Sequence, residues 1–336
     1  MQSPFLNLPI NMKKINILIV CFVITFSVFA QQKGCRINIV NPKYFLEEID
    51  SLRTQKQYDS IIKILIGKVE KDTITLFPYY QLACFYSLKG DTIKSFNYLY
   101  KSIIKGAPSE DILSDSDFEE LKKTHQWSLL TDTLIYQYIK QYPKITNKEL
   151  SIKLWLMGIE DQRTRALGGN YKKKYPPKGD KEWKNINKQF RKETKERANF
   201  ILSLVKQGKW PTYSEVGEKA ADAALFIVQH CDNNKLYRKA FPLLKNAVET
   251  KEASGENYAL MLDRYLVNKG KKQIYGTQLY RYQRKGVWSD IQFRPIEDEE
   301  NVNARRKAVG LGTIEEYAKD SFGIEYIYQP KDKKKK

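Results

Sequence analysis

Apolar side chains recur along much of this chain at intervals of three and four, the spacing that gives a helix one buried face. Phe45, Ile49 and Leu52 keep that spacing, and Ile61, Ile62, Leu65 and Ile66 keep it in the next segment. A further unit runs from Tyr80 to Asp91 and on through Ser95, Leu99 and Ser102. Lys89-Gly90-Asp91 divides it: glycine suits the position after one helix, and aspartate caps the start of the next. Residues from about Pro42 to Tyr142 therefore predict consecutive amphipathic helices, with Asp115 to Phe118 and Trp127 in a closing segment. His125 lies in that segment with no carboxylate at a triad-like spacing, and reads as a surface or packing histidine.

The pattern changes from Leu150 onward. Leu154 to Gln162 is an apolar helix face that ends in polar residues, and Asp161 and Arg165 are four apart, so one helix would let them pair. Lys172 to Lys188, with Pro176-Pro177 inside it, reads as an exposed loop, followed by a helix over about 189–207 that stops at Gly208-Lys209-Trp210-Pro211. Ala220 to Gln229 predicts a closely packed interior helix ending in His230 and Cys231, and Tyr258 to Arg264 another. Lys269 to Lys272 then turns the chain into Gln273 to Tyr282, whose alternation predicts a strand. Arg284-Lys285-Gly286 would be the hairpin turn, and Val287 to Arg294 the return strand. A short helix from Thr313 closes the region.

Small residues at Ala83, Ser95 and Ser102, with Tyr86 and Leu99 between them, resemble the tetratricopeptide repeat. The resemblance covers residues 42–142 and implies paired helices that bind a protein or peptide, or else merely support the next domain. In the second half, Asp161-Gln162 with Arg165, Gly208 to Pro211, Gln229-His230 and Asp263-Arg264 occur in order. Gln273-x-Tyr275-Gly276-Thr277-Gln278, Arg305-Arg306 and Gly310-Leu311 follow. Together they resemble the bacterial family catalogued as domain of unknown function 6624, over residues 150–317. That family brings no assigned reaction. The resemblance implies that Asp161, Gln162, Arg165, His230, Asp263, Arg264, Gln273 and Gln278 form one cluster. The expected fold is mainly α: tetratricopeptide-like helical hairpins, then an α-rich domain with a β-hairpin.

The residue types leave two readings of that cluster. Imidazole changes protonation near neutral pH, so His230 could act as general base or acid, with Asp161 or Asp263 orienting it. Arg165 or Arg264 would then hold an anionic substrate of a hydrolase-type reaction, with Gln162, Gln273, Tyr275 and Gln278 as further binding residues. In the other reading His230 caps its helix and the polar residues are a satisfied core in an interaction protein. No GxSxG, Walker, HExxH or Rossmann-like glycine pattern is present, and no spaced ligand motif implies a metal or cofactor.

Lys13 and Lys14, the apolar run Ile15 to Phe26 and Val28-Phe29-Ala30 before Gln31 read as a signal peptide over residues 1–30. The run is shorter than the ~20 apolar residues a spanning helix needs, so export to the periplasm or the outside is expected. No later segment reads as transmembrane. Of the cysteines left after cleavage, Cys35, Cys84 and Cys231 show no CxxC spacing, and an odd number leaves at least one free thiol. The formal charge of +19 is concentrated over residues 172–197 and 264–285 and in the tail at 329–336, which reads as disordered. Such patches attract anionic ligands, whereas nothing resembling a nucleic-acid-binding motif is present.

Overall fold

The computed structural model describes Ile49 and residues 51–71, 77–174, 181–231, 233–281, 283–284 and 287–328. The expected signal peptide, Cys35 and the basic tail lie outside the described residues. Within them the chain is mainly helical, with short antiparallel β-pairs late in the sequence. None of the described helices is long and apolar enough to cross a membrane.

Two compact units meet at Ala107/Pro108. The first contains α1 (Tyr58–Lys71), α2 (Phe77–Lys89) and α3 (Thr92–Ile104). Ile61, Leu65, Leu82 and Phe85 form its buried centre, and Tyr86 stacks on Tyr98 with ring centroids 5.5 Å apart. The turn between α2 and α3 is the one the sequence predicts. Gly90 has φ +88, its N–H and that of Asp91 close back on Ser87 and Tyr86, and the Asp91 carboxylate accepts from Lys94 N–H at 3.0 Å. These bonds satisfy the carbonyls that end one helix and an amide that starts the next. Ser95, buried between the helices, donates to the Ala83 carbonyl at 2.7 Å, so its hydroxyl is not left unpaired.

The second unit holds α4 (Ser109–Ser114), α5 (His125–Lys140), α6 (Lys148–Lys174), α7 (Lys181–Lys206), α8 (Tyr213–Val216) and α9 (Glu218–His230). It continues through α10 (Asn234–Glu249), α11 (Gly255–Asn268), α12 (Val302–Ala308) and α13 (Ile314–Phe322). The unit boundary falls before residue 142, and α4 and α5 pack with α6. Tyr138 stacks on Trp155 at 4.2 Å, and the Trp155 indole N–H donates to Glu110 at 2.9 Å.

Helices α6 and α9 run side by side in the same direction. Ser151 donates to the Val216 carbonyl, and Gly158 lies against Ala223 so closely that a Cβ there would fall 2.5 Å from the alanine methyl. Arg165 then reaches His230. Ser151 thus meets the end of α8, just before α9 begins, and the two contacts with α9 itself lie seven residues apart on both helices, the repeat that keeps one seam facing its partner. Helix α7 packs against α9 and α10.

Two expectations are overturned here. Residues 172–174 and 181–188 are helical rather than loop; Trp183, Ile186 and Phe190 supply the apolar spacing, and the lysine- and glutamate-rich remainder favours helix. Residues 273–278 are not a strand. The pairs formed are β1 (Leu279–Tyr280) with β4 (Gln292–Phe293) and β2 (Gln283–Arg284) with β3 (Val287–Trp288). Upstream of β1, the amides a ladder would need are taken by a side chain, as described next.

Candidate functional site

His230, the last residue of α9, meets the carboxylate of Asp161 on α6, with Nδ1 2.6 Å from Oδ2. Arg165, one turn beyond Asp161, places Nε 3.0 Å from the same oxygen and 2.8 Å from His230 Nδ1. These three contacts cannot all be hydrogen bonds, since Nδ1 cannot donate and accept at once. If Nδ1 accepted from Arg165, two lone pairs would face each other across the shortest contact. Nδ1–H therefore donates to Asp161, and Arg165 Nε–H donates to the carboxylate as well. The lone pair of neutral His230 is thus on Nε2, which has no hydrogen-bond partner among the described residues. The His230 side chain is 17% exposed, against 2% for Asp161. Phe226 stacks on the imidazole from one turn earlier.

Burial works against charge on Asp161, but hydrogen bonds from His230 and Arg165 outweigh it and hold the carboxyl below its usual range. Arg197, on the inner face of α7, stands behind it, with Nη2 3.8 Å from Asp161 and Nη1 3.8 Å from Glu193. Burial pulls its guanidinium below the usual range despite those carboxylates. Its Nε is buried without a partner among the described residues. Thr164, bonded to the Glu160 carbonyl, also approaches Glu193 and Arg197 at 3.3 and 3.5 Å. The sequence reading passed over Arg197, Glu193 and Thr164. The available signal was an arginine inside the apolar stripe of α7, beside Ala198 and Ile201 and four residues after a glutamate.

The single cluster expected from the sequence is two. Asp263, fully buried on α11, accepts from the amides of Ile274 (2.7 Å), Tyr275 (3.1 Å) and Thr277 (3.0 Å), and from the Thr277 hydroxyl (2.9 Å). Its oxygens are saturated, and it makes no hydrogen bond to His230. Gln273 is fully buried too, and its amide group is used on the backbone of Gln278 and Arg294. Gln278 reaches the Thr277 hydroxyl at 3.1 Å. Tyr275 is buried with its ring edge-on to Tyr258, and burial raises its hydroxyl's pKa. Arg305 and Arg306 clamp the carbonyls of the same turn, bonding Ile274 and Tyr275 at 3.0 and 2.8 Å. This second group holds a loop in shape: a carboxylate takes its N–H groups and two guanidiniums take its C=O groups. Gln162 and Arg264 are exposed and bonded to none of the described residues. Cys84 and Cys231 are buried, and the Cys231 thiol faces the Val228 carbonyl at 3.2 Å.

Residues 184–327 match the model of a family described as a family of unknown function, DUF6624. The match begins inside α7, so it contains His230, Arg197 and the Asp263 group, while Asp161 and Arg165 precede it. No curated protein and no solved structure matches the chain.

Proposed function

We propose that the second unit is a hydrolase-type enzyme in which His230 acts as general base and then general acid on an anionic substrate. One observation carries this reading: Nδ1 is fixed on a buried carboxylate while Nε2, on a partly exposed ring, is left to take a proton. In the reaction Nε2 would accept the proton of an attacking water as its oxygen bonds to the electrophilic centre. The imidazolium so formed sits against ionised Asp161, and the proton passes to the leaving group. Arg165, partly exposed beside the imidazole, supplies positive charge for the substrate.

The test has a part that needs no substrate. Nitrogen-15 NMR of the neutral protein is expected to show a protonated Nδ1 and a pyridine-like Nε2; the opposite tautomer would defeat the reading. Nitrophenyl phosphate mono- and diesters and carboxylic esters would then be screened. Any turnover should fall by about 10²–10⁴ in His230→Gln, the range of general acid–base catalysis. Unchanged turnover in that variant would also end the proposal.

For the first unit we propose a helical-hairpin module that docks the amphipathic helix of another protein. Ile93, Tyr100 and Ile104 support it, since they lie on one face of α3 and are exposed at 81, 39 and 85%. Export follows from the expected signal peptide, and sequencing the mature amino terminus should find Gln31 first.

A further inference from the structure

The outer face of α7 carries a ridge of positive charge. Lys181, Lys184, Lys188, Arg191, Lys192 and Lys195 are all exposed. At 3.6 residues per turn they fall within an arc of about 100°, over roughly 21 Å of helix. By helical spacing Glu193 and Glu196 lie to one side of that arc, and Glu193 pairs with Arg197. Among the described residues none of the six cations makes an ion pair. Each has at least one other member three or four residues away, so they are like-charged neighbours that destabilise the helix. An ordinary solvated helix face mixes the two signs instead.

We infer that this ridge is a docking surface for a linear polyanion whose charges are phosphate groups. The inference does not depend on the acid–base reading, because the ridge and Arg197 lie on opposite faces of α7. Charge complementarity and shape favour a chain over a membrane. The ridge is narrow and straight, and the apolar face of α7 is turned into the protein, where Ala198 and Ile201 are buried. No apolar wedge is left on this helix to enter a bilayer. Nor does the arc hold an aromatic side chain on which nucleic-acid bases could stack.

The test is binding of end-labelled inorganic polyphosphate to the full chain, followed by fluorescence anisotropy. With six contacts, and the single-strand salt slope of about −0.7 per contact, affinity should fall about 300-fold between ~50 and ~200 mM salt. Reversing three ridge charges (Lys184→Glu, Lys188→Glu, Lys192→Glu) should weaken binding at least tenfold at the lower salt. Reversing three exposed charges elsewhere in the unit (Lys269→Glu, Lys271→Glu, Lys307→Glu) should leave most of the affinity, at the same net charge. Circular dichroism checks folding, and Lys→Gln at the ridge positions replaces the first variant if it does not fold. Equal losses in the two triple variants would reduce the effect to overall charge and overturn the inference. So would failure to bind polyphosphate, or binding only to vesicles containing phosphatidylglycerol.

Discussion

Replacing Asp263 with alanine separates structural from catalytic roles among the polar residues of the second unit. The substitution leaves the amides of Ile274, Tyr275 and Thr277 without their acceptor. An unsatisfied buried donor costs about 1–3 kcal/mol. Three of them, softened by some shift of the loop, should cost at least about 3 kcal/mol, a loss few single substitutions reach. For a domain of this size that lowers the melting temperature by about 6–12 °C. All five tryptophans, Trp127, Trp155, Trp183, Trp210 and Trp288, belong to the second unit, so intrinsic fluorescence follows its unfolding without signal from the first. Asparagine at position 263 keeps one acceptor oxygen and should lose about half as much. Thr277→Val should cost about 1 kcal/mol alone and close to nothing once Asp263 is gone, because its bond is to that carboxylate. A melting shift under about 3 °C for Asp263→Ala would refute the assignment of this carboxylate as the organiser of the loop.

Two further outcomes follow from the pair α6 and α9. The Asp161 carboxyl titrates below its ordinary value of 3.8. Its stabilisation is therefore present above about pH 4 and is lost as pH falls through the lowered value; acid unfolding followed by tryptophan fluorescence should be less steep in Asp161→Asn than in the parent. Gly158→Ala gains about 1 kcal/mol of helix propensity but forces a methyl group into Ala223. Overpacking of that kind costs about 1–3 kcal/mol, so urea denaturation should show a net loss that Ala223→Gly in the same chain relieves.

The helices were legible because their signals are local. Gly90 and Asp91 end one helix and start another in sequence as in structure, and the apolar steps of α1 to α3 need no distant partner to be read. Where a contact reaches across the chain, local pattern misleads. Gln273 to Gln278 alternates like a strand, but the carboxylate that takes its amides lies ten or more residues earlier, on α11. Trp183, Ile186 and Phe190 mark a helical face, yet the charge around them and the Pro176-Pro177 pair before them read as loop. Asp161 and Arg165 could be paired from a four-residue spacing. The meeting with His230 could not, since it depends on the approach of two helices far apart in sequence. Arg197 was hidden for a related reason: its burial becomes evident only when the inward face of α7 is known.

Because α6 and α9 touch at Gly158 and again seven residues on, at Arg165, the distance between those two residues works as a ruler. One residue added between Gly158 and Asp161 would turn Asp161 about 100° away from the imidazole while the close approach at Ala223 stayed intact. Length changes in this stretch should be rejected even in sevens, since seven residues restore the facing but carry Asp161 about 10 Å along the axis from His230. A shift of α6 by one residue against α9 would carry the carboxylate about 1.5 Å along the axis as well as around it, so the pair formed by Asp161 and His230 reports the register of the two helices.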